Sequence, residues 1–245
     1  MKHSKKTPLE IYETRAAQPD FCPLADISAQ FLLFVLYLED SNFYYHKHGY
    51  EPVLIREAVL RALRGDLRYG CSTITQQLVK NLYFTFDRRI RRKILELFYA
   101  SWFEKHLTKN QILELYVNTI YYDNGQYGVR NAARFYFNKE PGDLTANQAF
   151  FLAVILPVVG LYNPLYHSQE FSLFLKEKLR RNPFFKRYVS KEVFAEIERH
   201  GADCLDEELC RATPETDRYN APGPMCNERF GPGGRDCLTG EREPK

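Results

Sequence analysis

The chain has 245 residues, 44% of them hydrophobic and 27% charged, which is typical of a globular protein with one sizeable domain. Its formal net charge of +3 is too small to indicate a polyanionic partner by itself, so an anion site would have to come from local clustering of basic residues. The six cysteines include no C-x-x-C pair, and the four in the C-terminal stretch fit no common zinc pattern. These four are explained either by unpaired cysteines or by disulfides.

The N-terminal region is basic at its start but lacks the apolar core of a signal peptide, and residues 1–25 are predicted to be an irregular lead-in. The two most hydrophobic windows are 31–38 and 149–162. Both are shorter than the roughly 20 apolar residues that a membrane-spanning helix needs. The sequence therefore predicts neither a signal peptide nor a transmembrane anchor.

Apolar residues recur at helical spacing through most of the chain and strand signals are nearly absent, so the predicted fold class is mainly α. The predicted helices are, in chain order, 27–38, 53–64, 73–83, 88–107, 109–118, 128–137 and 145–156. Residues 167–211 are predicted to form a helical C-terminal extension. Residues 212–245 are rich in Pro, Gly and charge, and are predicted to be a disordered tail.

The stretch GCSTITQQLVKN, residues 70–81, consists mostly of uncharged hydrogen-bonding side chains. At about 100° per residue, its apolar side chains lie on one side of the predicted helix and its polar side chains on the other. The polar side chains are Thr73, Gln76, Gln77, Lys80 and Asn81. A solvated helix face could look the same, but hydroxyls and amides also suit sugar hydroxyls and phosphate oxygens.

The next predicted helix has an apolar stripe and a charged cluster on different faces. The stripe, which we expect to be buried, consists of Ile90, Ile94, Leu97 and Phe98. The charged cluster consists of Arg89, Arg92, Lys93 and Glu96. It is explained either by surface ion pairs within one helix or by an anion site beside a carboxylate. In the second case Lys80, Arg88, Arg92 and Lys93 would surround a diphosphate.

Two acids, Glu39 and Asp40, end an apolar helix at the start of EDSNFYYHKHG. Negative charge is unfavourable at a helix C-terminus, and the aromatic residues that follow would partly desolvate it. Both effects raise the pKa of a carboxyl group and suit a general acid or base. A turn with a buried histidine is the alternative. His46 and His48 lack a clear third ligand and indicate a metal site only weakly.

Together, these stretches resemble the peptidoglycan glycosyltransferases, the family of monofunctional transglycosylases and of the glycosyltransferase domain of class A penicillin-binding proteins. The resemblance covers residues 31–164 in four ordered blocks. The blocks are EDSNFYYHKHG, GCSTITQQLVKN, RKILELFYASWFEKHLTKNQILELYVN and GVRNAARFYFNKEPGDLTANQA. The sequence departs from the family at Gly49, one residue later than usual, and at Asn138 and Gln148, which replace glycine and glutamate. A fifth family block is not recognisable after Pro164.

The resemblance implies a glycosyltransferase domain over residues 26–166, with a lysozyme-like head lobe and a smaller membrane-associated jaw at about residues 50–69. It implies polymerisation of lipid II into β-1,4-linked glycan strands, with inversion and release of undecaprenyl diphosphate. Glu39 would be the catalytic base and Glu96 the second essential carboxylate. The substrate- or diphosphate-binding residues that it implies are Asp40, Phe43, His46, Ser72, Thr73, Gln76, Gln77, Lys80, Asn81, Arg88, Arg92 and Lys93. The implied structural motif residues are Gly70, Glu114, Tyr116 and Asn118.

The resemblance further implies Mg²⁺ or Mn²⁺ held with the substrate diphosphate, with Glu96 as its protein contact, and no organic cofactor. The implied partners are lipid II, the nascent glycan strand, the membrane surface at the outer face of the bacterial cytoplasmic membrane, and a transpeptidase or another cell-wall synthesis protein. The implied inhibitor is moenomycin. Two alternatives stay open: a non-catalytic relative that binds lipid II or a partner enzyme, and a lysozyme-like lytic enzyme. A nucleic-acid binder using RRIRRK is disfavoured by the small net charge.

Overall fold

The structure, a computed structural model, describes residues 6–64, 72–84, 90–158, 165, 168–181 and 190–200. Over these ranges the secondary structure is helical, and the only extended pairing in them is an isolated bridge between Tyr121 and Tyr127. The mainly α class predicted from the sequence is confirmed. The division into a head lobe and a jaw stays a prediction, and residues 65–69 and 212–245 lie outside the described residues.

The α-helices within the described ranges are α1 (Pro8–Ala16), α2 (Ala29–Glu39), α3 (Pro52–Leu63), α4 (Ile74–Tyr83), α5 (Ile90–His106), α6 (Lys109–Thr119), α7 (Val129–Phe137), α8 (Ala146–Ile155), α9 (Ser168–Arg181) and α10 (Lys191–His200). Short 3₁₀ turns occupy Leu24–Asp26, Pro141–Asp143 and Leu156–Val158. The helices predicted between residues 27 and 156 all form, with ends that differ by at most two residues, because their periodicity and caps are local signals.

The prediction of an irregular lead-in is wrong for residues 8–16, which form α1. The Thr7 side chain accepts a hydrogen bond from the Glu10 backbone N–H, and the Glu10 carboxylate accepts one from the Thr7 N–H at 2.7 Å, which is a capping box. Pro8 stands in the first turn, where its missing N–H costs nothing. The helix has few apolar residues and no apolar stripe. Its stability therefore comes from its cap and from its contacts with α6.

The core is built around α8, of which every residue except Gln148 is buried. A helix that is apolar on all sides is typical of such a central position. Phe34 of α2 meets Phe150 edge-on at a ring-centroid distance of 5.1 Å, and Phe171 of α9 meets Phe151 at 4.9 Å. The packed core continues into α9, so it does not end at residue 166, where the sequence predicts the end of the domain.

The orientation of α5 is the reverse of the predicted one. Ile94 and Phe98, which were expected to be buried, are 62% and 68% exposed. Glu96, Ala100 and Phe103 form the buried face instead, at the i, i+4 and i+7 spacing of a helix side. The prediction failed because it assigned the more apolar face to the core, whereas α5 turns its ion-paired carboxylate inward. Within the described ranges, no helix is both long and apolar enough to cross a membrane.

Candidate active site

Glu39 is the last residue of α2, whose buried aromatic side chains fix the helix in the core. Its Oε2 accepts a hydrogen bond from Gln77 Nε2 at 2.5 Å. The residue as a whole is half-buried, but its Oε1 is buried and has no hydrogen-bond partner among the described residues. The site therefore holds one carboxylate oxygen by a hydrogen bond and leaves the other, which is buried, without one.

Burial raises the pKa of the Glu39 carboxyl above its ordinary value. The hydrogen bond from Gln77 and the positive charge of Lys178 lower this pKa, and the negative charge of Asp40 raises it. The direction agrees with the sequence prediction, which named the helix dipole and desolvation as causes, and burial is the largest cause. A carboxylate that is easily protonated suits proton transfer near neutral pH.

Asp40 and His46, both predicted to bind substrate, belong to a buried polar network. Asp40 Oδ2 accepts hydrogen bonds from His46 Nε2 at 2.8 Å and from the backbone N–H of Ile74 at 3.1 Å. Lys109 Nζ lies 3.1 Å from His46 Nδ1. Because an ammonium group can only donate, Nδ1 accepts and Nε2 carries the proton that is donated to Asp40. Asp40 thereby ties the end of α2 to the start of α4.

Glu104 and Thr75 complete this network. Glu104 Oε1 accepts hydrogen bonds from Lys109 Nζ at 2.8 Å and from the Thr75 hydroxyl at 2.6 Å. Lys109 Nζ also lies 4.5 Å from the ring centroid of Phe43, a favourable cation–π distance. Phe43, another residue predicted to bind substrate, is fully buried. The structure thus places Asp40, Phe43 and His46 among internal contacts that support the site.

The polar residues of α4 divide into two groups. Thr73 and Gln76 are buried and form the capping box at the start of the helix, so they do not lie on an accessible polar face. Gln77, Lys80 and Asn81 are half-buried. Angular position along the helix could not separate these groups, because the capping role depends on where the helix begins.

The Thr73 hydroxyl also donates to the Gly49 carbonyl at 2.6 Å, which joins the first and second sequence blocks. Gly49 has a φ of +70°, and a Cβ placed there would lie 3.0 Å from the Ala100 side chain. A side chain at this position would be strained and crowded. Gly49, which comes one residue later than in the family pattern, therefore lies at a position where the backbone conformation and the close packing favour glycine.

Glu96 lies at the centre of a basic cluster, as the sequence predicts, but it is buried. Its Oε1 lies 2.9 Å from Arg92 Nε and its Oε2 lies 3.1 Å from Lys93 Nζ. Lys93 Nζ also donates to the Ser72 hydroxyl at 3.0 Å. The side chains of Arg92 and Lys93 are 22% and 35% exposed against 3% for Glu96, so the positive groups face outward. Two cations around one carboxylate leave a net positive site that suits an anion.

The segment from Ser72 to Tyr83 contacts both carboxylate sites. Gln77 holds Glu39, and Ser72, just before α4, accepts the hydrogen bond from Lys93. The uncharged hydrogen-bonding side chains of this segment therefore connect the two sites. Arg88 and Gly70, which were also predicted to belong to the site, lie outside the described residues.

The predicted motif residues of α6 hold neighbouring segments. Glu114 accepts hydrogen bonds from the Leu24 N–H at 2.7 Å and from the Tyr12 hydroxyl. Asn118 binds both backbone groups of Cys22, its Oδ1 accepting from the N–H and its Nδ2 donating to the carbonyl, each at 2.8 Å. These two residues anchor the N-terminal segment, which agrees with a structural role.

The sequence did not indicate Lys178, Lys109 or Glu104 as residues of the site. Lys178 is half-buried on α9, one residue before the buried Leu179, and resembles any lysine at the edge of an apolar stripe. Glu104 and Lys109 flank the corner between α5 and α6, where charges are common. The role of each of these three residues comes from a contact with a segment that is distant in sequence. The spacing of residues along the chain does not show such contacts.

The family described as Transglycosylase matches residues 5–183 of the chain. The match includes all of α1 and α9, so it extends on both sides of the region in which the sequence blocks were recognised. Penicillin-binding protein 1A of Aquifex aeolicus is 39% identical over 164 residues, which are 64% of this chain and 22% of that protein.

Two further relatives have similar names. Penicillin-binding protein 4 of Bacillus subtilis is 45% identical over 130 residues, 53% of this chain and 21% of that protein. Penicillin-binding protein 1A of Escherichia coli is 41% identical over 162 residues, 64% of this chain and 18% of that protein. The chain thus spans about a fifth of the length of these curated relatives. It belongs to the transglycosylase family, the peptidoglycan glycosyltransferases that include the glycosyltransferase domain of class A penicillin-binding proteins.

Proposed function

We propose that the chain is a peptidoglycan glycosyltransferase that polymerises lipid II into β-1,4-linked glycan strands and releases undecaprenyl diphosphate. The observation that carries the proposal is the state of Glu39. One of its oxygens is held by Gln77, while the other is buried and has no partner among the described residues. A buried acceptor without a donor is costly, and a substrate hydroxyl would satisfy it. Family membership supplies the substrate class.

In the proposed reaction, Glu39 accepts the proton of the 4-hydroxyl of an acceptor GlcNAc. The hydroxyl oxygen then bonds to the anomeric carbon of the MurNAc at the end of the growing strand. The bond from this carbon to the diphosphate breaks, and the diphosphate leaves with the electron pair. Attack opposite the leaving group inverts the α linkage to β, which requires a base and a leaving-group site on different faces of the sugar.

Arg92 and Lys93 are the groups that we propose to stabilise the leaving diphosphate. Their partly exposed side chains surround Glu96, whose negative charge holds them in position. Negative charge grows on the leaving group as the bond breaks, so fixed cations there favour the transition state over the ground state. Lys80 and Asn81 on α4 are proposed to hold further substrate oxygens.

A divalent cation, Mg²⁺ or Mn²⁺, is part of the proposal as a partner of the diphosphate. In the described part of the chain, no three His, Cys, Asp or Glu residues come together in a metal-binding group. Glu96 is the carboxylate beside the basic cluster, and its Oε1, although it lies 2.9 Å from Arg92 Nε, makes no hydrogen bond to the described residues. These residues fit an ion that is held mainly by the diphosphate and touches the protein through Glu96. Such an ion would neutralise part of the diphosphate charge.

We propose that a patch on α5 contacts the membrane in which lipid II resides. Ile94, Leu95 and Phe98, here called the α5 patch, are 62%, 46% and 68% exposed. Large apolar side chains grouped on one surface are typical of a membrane or protein contact. The patch lies on the same helix as Arg92 and Lys93, so contact at this surface would bring the diphosphate site close to lipid headgroups. The outer face of the cytoplasmic membrane and a transpeptidase partner are proposed on family grounds.

The decisive test is incubation of the purified protein with labelled lipid II in detergent and Mg²⁺, with and without moenomycin. We expect moenomycin-sensitive polymer from the wild type. Glu39→Gln should lower the polymerisation rate by at least about a hundredfold, because the base is lost, while lipid II binding is retained. The matched control is Glu13→Gln on the exposed side of α1, which should polymerise normally.

Each alternative has its own result in this assay. Near-normal chain growth by Glu39→Gln would refute the assignment of the base. Binding of lipid II without any polymer from the wild type would favour the non-catalytic relative. Release of muropeptides from finished peptidoglycan would favour the lytic enzyme.

A further inference from the structure

We infer that Tyr116 is a positioning residue that holds the Gln77 amide in the one orientation that favours an ionised Glu39. The role assigned to Glu39 rests on the proposed function, but the contact itself does not. The contact is part of a chain of two hydrogen bonds, here called the relay. Three helices contribute one residue each to it: α6 contributes Tyr116, α4 contributes Gln77 and α2 contributes Glu39.

The relay consists of two hydrogen bonds in series. The Tyr116 hydroxyl donates to Gln77 Oε1 at 3.1 Å, and Gln77 Nε2 donates to Glu39 Oε2 at 2.5 Å. Tyr116 is fully buried and α6 packs along α4, so the phenol is held rigidly against the amide. Gln77 is half-buried and has its two amide ends occupied by these two partners.

The tyrosine decides which end of the amide faces Glu39. The two ends of a glutamine amide have nearly the same shape, so shape alone does not prevent a flip. A flipped amide would put its carbonyl oxygen against the carboxylate and its NH₂ group against the phenol oxygen. The phenol proton would then lose Gln77 Oε1, the acceptor that it has in the structure. A buried donor without an acceptor is strongly unfavourable.

Loss of the phenol proton cannot rescue the flipped state. Burial raises the pKa of Tyr116 well above its ordinary value, and the negative charge of Glu39 raises it further. The hydroxyl therefore stays a donor across the pH range in which Glu39 titrates. An amide fixed in this way stabilises the carboxylate, whereas a flipped amide would accept a hydrogen bond from the protonated acid. Tyr116 thus favours the ionised form of Glu39 and opposes the rise in the pKa of this carboxyl that burial causes.

The test is Tyr116→Phe, which removes the hydroxyl and keeps the ring. We expect the pKa of Glu39 to rise by about one unit, since freeing the amide to flip removes part of the support for the charge. The pKa is measured from the ¹³C resonance of the side-chain carboxyl, which is assigned by its loss in Glu39→Gln. In the polymerisation assay, the acid limb of the pH profile should shift to higher pH by the same amount.

The matched control is Tyr122→Phe. Tyr122 is also fully buried and its hydroxyl donates to the Val117 carbonyl at 3.1 Å, so this variant loses a similar bond elsewhere. It should leave the pKa of Glu39 unchanged. A purely structural role for Tyr116 would lower thermal stability in both variants and shift the pKa in neither.

A second variant protects the test against a folding defect in Tyr116→Phe. Site-specific incorporation of 3-fluorotyrosine at position 116 keeps the hydroxyl and makes it a stronger donor. We expect the pKa of Glu39 to fall in this variant. An unchanged or raised pKa would overturn the inference. If the pKa moves as expected but the wild type forms no polymer, the proposed function fails while the positioning role stands.

Discussion

At the scale of single residues, Glu39 combines properties that favour chemistry and oppose stability. Burial raises the pKa of its carboxyl, Gln77 and Lys178 partly offset this effect, and Asp40 adds to it. A buried carboxylate with one unpartnered oxygen is costly when it is ionised. Proteins accept such a cost where a reaction needs the group, which is the basis of the trade-off between stability and activity.

This trade-off predicts that Glu39→Gln stabilises the fold. A carboxyl with a raised pKa binds its proton more tightly in the folded state, so ionisation destabilises the fold once the pH exceeds the ordinary carboxyl pKa. We expect the free energy of unfolding to rise by about 1 kcal/mol at about pH 8 and to change little at about pH 4, where the carboxyl is protonated in both states.

Urea unfolding at several pH values measures this effect. Glu13→Gln on the exposed side of α1 serves as control and should stay within about 0.5 kcal/mol of the wild type. A variant Glu39→Gln that is less stable than the wild type at every pH would show that the carboxylate contributes favourable contacts that the structure does not contain.

At the scale of helices, the site depends on how the end of α2 meets the start of α4. Asp40 accepts the Ile74 N–H, and the buried network continues through His46 and Lys109 to Glu104. This network joins the helix that carries Glu39 to the helix that carries Gln77. Removing one partner of a buried ion pair leaves an uncompensated charge, which costs far more than an exposed pair contributes.

We therefore expect Lys109→Met to lower the free energy of unfolding by about 3 kcal/mol, because Glu104 would lose its cation while its side chain stays only 4% exposed. Lys105→Met, at an exposed position of α5, is the control and should change stability by less than about 0.5 kcal/mol. Chemical denaturation of both variants measures the difference. Equal effects in the two variants would mean that the network does not hold the helices together.

At the scale of the whole molecule, the reversed orientation of α5 places apolar side chains on the surface and a carboxylate inside. The α5 patch and Val53 of α3, which is 72% exposed, are the apolar groups that we expect to meet a membrane. The burial of two large apolar side chains in a membrane contributes several kcal/mol at most, of which a part is lost to the cost of association.

The double variant Ile94→Ser with Phe98→Ser should therefore bind vesicles of phosphatidylglycerol and phosphatidylethanolamine at least about tenfold more weakly than the wild type. Leu173→Ser on α9 is the control, because Leu173 is 69% exposed but lies away from the patch in sequence. Cosedimentation measures binding, and circular dichroism checks that the helices are retained. Equal losses in the control and in the double variant would contradict a specific contact at α5.

Local information in the sequence was sufficient for the helices and for the family. Periodicity and caps act within one or two turns, so the positions of α2 to α8 could be predicted without knowledge of their partners. The order of the four blocks identified the family, which the match over residues 5–183 confirms. The short polar helix α1 was missed because it has no periodic apolar face, although its capping box, formed by Thr7 and Glu10, is a local signal. Its contacts with α6 add to its stability.

Only the tertiary structure decided which faces are buried and which side chains meet. The sequence contains the apolar and the charged face of α5, but the partner helices determine that Glu96 turns inward and Phe98 outward. The polar face of α4 likewise splits into a buried cap and a part that reaches Glu39, because Tyr116 approaches Gln77 from another helix. Burial and hydrogen bonding between distant segments are properties of packing, and they convert a plausible set of polar residues into a site with a defined proton acceptor.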